Sequence, residues 1–302
     1  MKDFDKKRIL ILGAGGMLGH KLCQLYKQKY DLYYTVRSNF AKYQKYDIFD
    51  KERMIENLDV LDLDKVVNIF NDIKPDIVIN CVGIIKQLKD AKDPILSIRI
   101  NSLLPHQLAK ICQPLNAKLF HISTDCVFNG KDGMYTEKSI SNAEDLYGRT
   151  KYLGEVSAEN ALTIRTSIIG RELATANGLV EWFLANRNGK VKGFKQAIYV
   201  GFTTIAMAEI IEFIIEKHAN LSGLYQISSE PIDKFSLLNI IKDKFGLKVE
   251  IESENEIKID RSLDSSKFRN LTGFVPPTWE QMIENMADDS TPYDEWHNYN
   301  NA

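Results

Sequence analysis

The 302-residue sequence is short of cysteine, short of proline, and has no long apolar run. Its four cysteines, Cys23, Cys81, Cys112 and Cys126, form no CxxC pair and no zinc-type spacing, which argues against disulfides and a structural metal and leaves buried, reduced thiols as the expectation. No stretch approaches the roughly 20 consecutive apolar residues that a membrane helix needs. The charged stretch Met1 to Arg8 runs straight into Ile9-Leu10-Ile11-Leu12, too short for the apolar region of a signal peptide, so the chain is expected in the cytoplasm. Charge of one sign is also missing: 39 basic residues face 41 acidic ones, a net charge of -2, and this excludes the electrostatic footprint of a nucleic-acid or anionic-membrane binder. Internal repeats and low-complexity tracts are absent. What is present is an ordinary globular composition, 44% hydrophobic and 26% charged, on a length suited to one large domain and a smaller partner.

The first half alternates short β-rich runs with amphipathic stretches, the pattern of a parallel sheet covered by helices. Strands are expected over 9–12, 32–36, 77–80, 119–122 and 162–165, and helices over 17–29, 64–72, 94–112 and 147–159. The strand runs are almost continuously apolar, as strands buried on both faces are. The fold class is α/β: a Rossmann-type doubly wound parallel sheet with a smaller α+β C-terminal lobe. After Thr166 the rhythm loosens, with helices expected over 179–185 and 205–217 and a late strand over 223–227 of a kind to rejoin the main sheet. The expected division is 1–165 plus about 200–228 for dinucleotide binding, and 166–199 with 229–302 for substrate. The polar tail from Asp288 to Ala302 is either frayed or docked through Tyr293, Trp296 and Tyr299.

Between the first strand and the first helix lies Gly13-Ala14-Gly15-Gly16-Met17-Leu18-Gly19. Glycines at these places let the backbone turn sharply and approach a pyrophosphate, whose charge then sits at the positive end of the helix. At the end of the second strand, where an NAD site would carry Asp or Glu for the ribose hydroxyls, the chain reads Val36-Arg37-Ser38. Arg37 suits a 2′-phosphate through charge-assisted hydrogen bonds, so NADP(H) is the expected cofactor, with NAD(H) as the alternative.

Tyr147 and Lys151 stand four apart in Tyr147-Gly148-Arg149-Thr150-Lys151, on one face of a helix. A phenol, with a reference pKa of about 10, can donate a proton to a carbonyl that receives hydride, and a neighbouring ammonium stabilises the phenolate left behind. Upstream, His121-Ile122-Ser123-Thr124-Asp125-Cys126-Val127-Phe128 is a buried strand ending in hydroxyls and a carboxylate at the carboxyl edge of the sheet, where ligands of such folds bind. Thr124 is placed to hold a carbonyl oxygen; a strand-to-turn cap would use the same residue types.

These motifs together resemble the extended short-chain dehydrogenase/reductases of the dTDP-4-dehydrorhamnose reductase family. The likeness covers nearly the whole chain: the glycine loop, Asn80-Cys81-Val82-Gly83, Asn101, Ile122 to Phe128, Tyr147 to Lys151, Ile164-Arg165-Thr166-Ser167, Ser262 to Lys267 and Pro277-Thr278-Trp279. The resemblance implies Thr124, Tyr147 and Lys151 as a catalytic trio, accompanied by Asp125, with Lys151 also gripping the nicotinamide ribose. It implies cofactor contacts from Gly13, Gly15, Gly16, Met17, Leu18, Gly19, Arg37, Asp59, Val60, Cys81, Val82, Gly83, Asn101 and Ser123. Asp59 and Val60 would meet the adenine, unless Asp59 is a turn or capping carboxylate. Cys126, Val127 and Arg261 fall on the substrate side, Arg261 either on the diphosphate or in a surface ion pair.

Sugar-nucleotide 4,6-dehydratases of this superfamily carry Thr-Asp-Glu where this chain has Thr124-Asp125-Cys126, so the carboxyl pair needed for elimination is incomplete and simple reduction is favoured. The implied reaction is NADPH-dependent reduction of the 4-keto group of a dTDP- or UDP-linked 4-keto-6-deoxyhexose, in deoxysugar biosynthesis for surface polysaccharide, by an enzyme that admits a homodimer. Two alternatives stay open. Cys126 aligns with the cysteine base of epimerising reductases, and the fold is shared by a non-catalytic regulatory subunit of methionine adenosyltransferase.

Overall fold

A computed structural model of the chain describes residues 6–87, 89–297 and 299. The first residues of the charged N-terminal stretch and the last of the polar tail lie outside the described residues. The chain divides into two compact units: residues 1–123, 145–164 and 219–224 form the first, and 124–144, 165–218 and 225–302 the second.

The first unit is built around the main sheet. Its strands are β1 (Arg8–Leu12), β2 (Asp31–Thr35), β3 (Met54–Ile55), β4 (Ile77–Asn80), β5 (Lys118–Thr124), β6 (Ala161–Thr166) and the returning strand β11 (Gly223–Gln226). They lie in the order β11-β6-β5-β4-β1-β2-β3, with parallel ladders from β3 through β2, β1 and β4 to β5. Strand order therefore reverses between β1 and β4, and at such a switch point the loops leaving the carboxyl ends part to form a crevice. Ile9 to Leu12 are all fully buried, as parallel strands covered on both faces must be. Leu10 and Leu12 pack with Val66 and Phe70 of α2 (Leu63–Ile73) and Leu104 and Leu108 of α4 (Leu104–Cys112).

The expected helix over 94–112 is a continuous helical stretch whose middle is wound more loosely than an α-helix. α3 (Pro94–Ser97) passes into a π-helical segment, Ile98–Leu103, before α4. Pro105, which has no N–H to give back to the carbonyl of Asn101, explains why regular α-helical bonding fails there. The catalytic-motif helix, α5 (Leu146–Leu153), stops well short of the expected Glu159. Its C-cap is Gly154, where a Cβ would collide with the carbonyl oxygen of Asn101, so helix and π-segment approach backbone to backbone. Gly154→Ala is accordingly expected to destabilise the protein by about 3 kcal/mol, since backbone cannot yield as a flexible side chain would; thermal unfolding checks this.

In the second unit, β7 (Ile168–Ile169) pairs with β10 (Phe202–Thr203), β8 (Lys190–Phe194) with β13 (Glu250–Glu254), and β9 (Ala197–Tyr199) lies between β12 (Ile232–Asp233) and β14 (Ile259–Asp260). Around them stand α6 (Leu179–Ala185), α7 (Thr204–Lys217), α8 (Lys234–Lys244), α9 (Ser266–Thr272), α10 (Trp279–Ala287) and the short α11 (Tyr293–Trp296). The sequence division placed 200–228 with the dinucleotide half. In the structure α7 packs on α10, β7 and β10, and 200–218 and 225–228 fall in the second unit with 124–144, while 219–224 fall in the first. Within the described part of the tail, Tyr293 is 1% exposed and Tyr299 donates its hydroxyl to Glu181, so both aromatic residues are docked. Among the described residues no helix is long and apolar enough to cross a membrane, and no group of His, Cys, Asp or Glu is placed to hold a metal ion.

Candidate active site

α1 (Met17–Tyr26) begins directly after the glycine loop, with Gly16 as N-cap, no side-chain cap and no acidic residue in its first turn. Its first amide groups therefore keep their positive field for an incoming anion. Gly13 has φ +83°, a left-handed conformation that favours glycine, and it is fixed from below by Thr35, whose Oγ1 accepts its N–H at 3.3 Å. Gly19 has a different reason to be glycine, because a Cβ there would strike the Gly13 carbonyl. At Gly15 a Cβ would lie 2.7 Å from the hydroxyl of Tyr43, so this glycine makes room for a tyrosine of the segment after β2. Only Gly16 opens on space, its nearest neighbour being the Gly13 carbonyl at 3.4 Å. The loop is a cradle that fits a pyrophosphate at Gly16 and the start of α1, beside Met17 and the buried Leu18.

Across the switch point, Cys81, Val82 and Gly83 leave β4, and the Asn80 carboxamide holds Val82 N–H at 3.1 Å. Asn101 acts on the same loop: its Oδ1 accepts from Ile84 N at 2.9 Å and its Nδ2 donates to Ile84 O at 3.0 Å and to Thr150 Oγ1 at 3.3 Å. Its amide is thus spent on the loop and on α5. Arg37 is exposed just beyond β2, next to Ser38. Asp59 is an exposed turn carboxylate, accepting from Leu61 N at 3.0 Å, while Val60 packs against the core.

Asp145 caps α5 by accepting from Gly148 N at 2.7 Å, and its other oxygen pairs with Lys86 at 2.6 Å. Lys86 also lies over the Tyr147 ring, 5.5 Å from its centre. One turn on, Lys151 is 5% exposed and donates from Nζ to the Ile122 carbonyl at 2.6 Å. Burial pulls this ammonium down to about 8, against the opposing pull of Glu155 and Cys81. Ser123, assigned above to the cofactor, donates its hydroxyl to Glu155 Oε1 at 2.7 Å. His121, pushed well below the usual histidine range by burial, meets Asn80 Nδ2 at 3.2 Å.

Thr124, the residue after Ser123, begins the second unit. Its hydroxyl donates to Asp125 Oδ1 at 3.0 Å and accepts from Cys126 N at 3.1 Å, closing a tight turn at the end of β5. Val127, named above as a substrate contact, is instead fully buried in a cluster with Phe128, Tyr135, Val200 and Leu263, because the Phe128 ring stacks on Tyr135 and draws the turn inward. Arg261 is half-buried and fixed by Nε on the Phe128 carbonyl at 2.8 Å, which replaces the surface ion pair considered from sequence. All four cysteines are free; Cys23 and Cys112 are buried as expected, whereas Cys81 and Cys126 are partly exposed because they stand at the ends of β4 and β5.

Sequence reasoning missed Tyr43, Lys86 and Glu155. Glu155 was findable, since it follows Lys151 by one helical turn. Tyr43 and Lys86 reach the site from loops, and no local spacing announces them.

Strand order 3-2-1-4-5-6, a glycine cradle at the first crossover and a Tyr-x-x-x-Lys pair on α5 define an extended short-chain dehydrogenase/reductase. Residues 7–291 match the RmlD substrate binding domain family, and the chain belongs to it. Spore coat polysaccharide biosynthesis protein SpsK of Bacillus subtilis (strain 168) is 26% identical over 82% of this chain and 82% of its own. Methionine adenosyltransferase 2 subunit beta of Mus musculus is 29% identical over 51% of this chain but only 43% of that protein, so the match spans less than half of that relative's length. The crystal structure of dTDP-4-dehydrorhamnose reductase from Bacillus anthracis str. Ames in complex with NADP superposes with a TM-score of 0.76 at 25% identity, covering 93% of this chain and 98% of that one.

Proposed function

We propose that this protein is an NADPH-dependent reductase of the 4-keto group of a 4-keto-6-deoxyhexose carried on dTDP or UDP, serving deoxysugar synthesis for a surface polysaccharide. The observation that carries the reading is Lys151, a buried ammonium held one turn beyond Tyr147 on α5, within the unit that carries the glycine cradle. The retained set Thr124, Tyr147 and Lys151 supports catalysis over a binding-only role, which has no chemical need for a phenol and an ammonium together. In this reading the first unit holds the cofactor and the second the sugar nucleotide, with Arg261 turned to its diphosphate.

NADPH, when bound, would supply the hydride that reduces the carbonyl. The chain's own residues do the rest. Amides at the start of α1, Met17 and Leu18, seat the pyrophosphate, and Val82 and Gly83, stiffened by Asn80 and Asn101, border the cofactor's middle. Tyr147 transfers its phenolic proton to the sugar oxygen as negative charge grows there, and Lys151 stabilises the phenolate that remains. Thr124 turns its hydroxyl hydrogen from Asp125 to the same oxygen, leaving the Asp125 carboxylate to its turn. Seating both reactants in one orientation supplies much of the acceleration.

Arg37 is assigned to the 2′-phosphate. Arg37→Ala is expected to weaken NADPH binding by roughly 10- to 100-fold, the worth of one charge-assisted hydrogen bond, with NADH binding unchanged. Fluorescence titration of each cofactor measures this, and equal losses for both would remove the assignment. The function itself is tested by offering freshly generated 4-keto sugar nucleotides with NADPH and identifying products by NMR. Cofactor that binds but is never oxidised by any member of the panel overturns the reductase reading.

A further inference from the structure

Two consecutive residues at the end of β5 reach for two residues one turn apart on and just after α5. The Ile122 carbonyl accepts Lys151 Nζ at 2.6 Å, and the next side chain, Ser123, donates its hydroxyl to Glu155 Oε1 at 2.7 Å. Lys151 is 5% exposed and Ser123 4%, so bulk water does little to screen charges in this corner. The groups that act electrostatically with Lys151 are the Cys81 thiol from the end of β4, the His121 ring from β5 and the Glu155 carboxylate. Although the Cys81 residue is partly exposed at the end of β4, burial of its thiol drives it up to about 12, and burial drives the His121 imidazole well below its usual range, so both are neutral near pH 7. Of these groups, Glu155 is the one that supplies a negative charge.

We propose that Glu155, anchored by the Ser123 hydroxyl, is the positioning residue of Lys151: its carboxylate keeps the buried ammonium charged and seated on β5, in the posture from which it serves Tyr147. The proposal rests on the reading that Lys151 acts with Tyr147. It also gives Ser123 a role through Glu155, whose Oε1 accepts the Ser123 hydroxyl. Asp at 155 keeps the charge but shortens the reach. Gln keeps the shape and loses the charge, which separates electrostatics from packing.

The test is a pH titration of the cofactor-free full chain containing ¹³C-labelled lysine, followed by NMR, with the Lys151 signal identified by its loss in Lys151→Arg. The wild-type midpoint is expected near 8. Removing the carboxylate makes the buried ammonium costlier, so Glu155→Gln should shift the midpoint down by about one unit or more, a tenfold change in the proton equilibrium. Glu155→Asp should recover most of that shift. Ser123→Ala, which retains both charges, should move the midpoint in the same direction by less. In turnover assays the activity lost as Lys151 deprotonates should disappear at correspondingly lower pH in Glu155→Gln. An unmoved Lys151 midpoint in Glu155→Gln overturns the proposal; should that variant not fold, an unmoved midpoint in Ser123→Ala does the same. Because the titration needs neither cofactor nor sugar, an inactive protein whose Lys151 responds to Glu155 upholds this pair while overturning the substrate assignment.

Discussion

Tyr147→Phe is expected to lower kcat by about 10²- to 10⁴-fold, the usual worth of a positioned general acid, while NADPH binding stays within twofold or so of wild type. The substitution removes one oxygen from a half-buried ring on α5 and leaves the cap of the helix, Asp145 on Gly148, untouched. The glycine cradle lies on α1 and the loop before it, so pyrophosphate binding has no reason to change. What the proposed role loses is the proton for the alkoxide. A proton donor of the proposed kind acts in the transition state, so the fall should appear in kcat and kcat/KM together. Stopped-flow measurement of cofactor oxidation alongside fluorescence titration separates the two quantities. Full activity in Tyr147→Phe would end the acid assignment.

The largest stability effect is expected within the second unit, at Glu181 on α6. This carboxylate is fully buried; its Oε1 accepts from Arg171 Nε at 2.6 Å and from Glu172 N at 3.1 Å, and its Oε2 accepts from the Tyr299 hydroxyl at 3.1 Å. Arg171 continues to Asp294 at 2.7 Å and lies over the Tyr293 ring, 4.8 Å from its centre. His297 Nε2 donates to the Glu172 carbonyl at 2.7 Å. The tail from Tyr293 to Tyr299 is thus tied to α6 and the segment before it by one charged network. Glu181→Ala strips Arg171 of its buried partner and should cost about 3 to 5 kcal/mol, on the order of ten degrees in Tm. Replacing both partners, Arg171→Met with Glu181→Leu, should cost less than Glu181→Ala alone, since no unpaired charge remains. A Tm for Glu181→Ala within a degree or two of wild type would show that the network carries no weight.

The strands and helices of the first half were legible because their signals are local. Ile9 to Leu12, Ile77 to Asn80 and the glycine-rich crossover state their structure in consecutive residues, and the switch point follows from the order of such units. Helix ends were less legible. The expected extension of α5 to Glu159 failed at Gly154, whose termination depends on the Asn101 carbonyl brought against it from 53 positions away in the chain. The family resemblance set Val127 on the substrate side, yet it is fully buried in a cluster with the stacked Phe128 and Tyr135. The second unit was the least readable, since its strands run from two to five residues and pair across long separations, as β8 does with β13.

Taken alone, the amino-acid order determined the doubly wound sheet, the cofactor cradle and the pair Tyr147 and Lys151, because each is encoded in a period or a spacing of a few residues. Folding alone decided what surrounds them: which tyrosine lies on Gly15, which carboxylate Ser123 holds beside the buried Lys151, and which network ties down the tail. Those contacts join residues far apart in the chain, and the burial that gives them their energy exists only once the chain has packed.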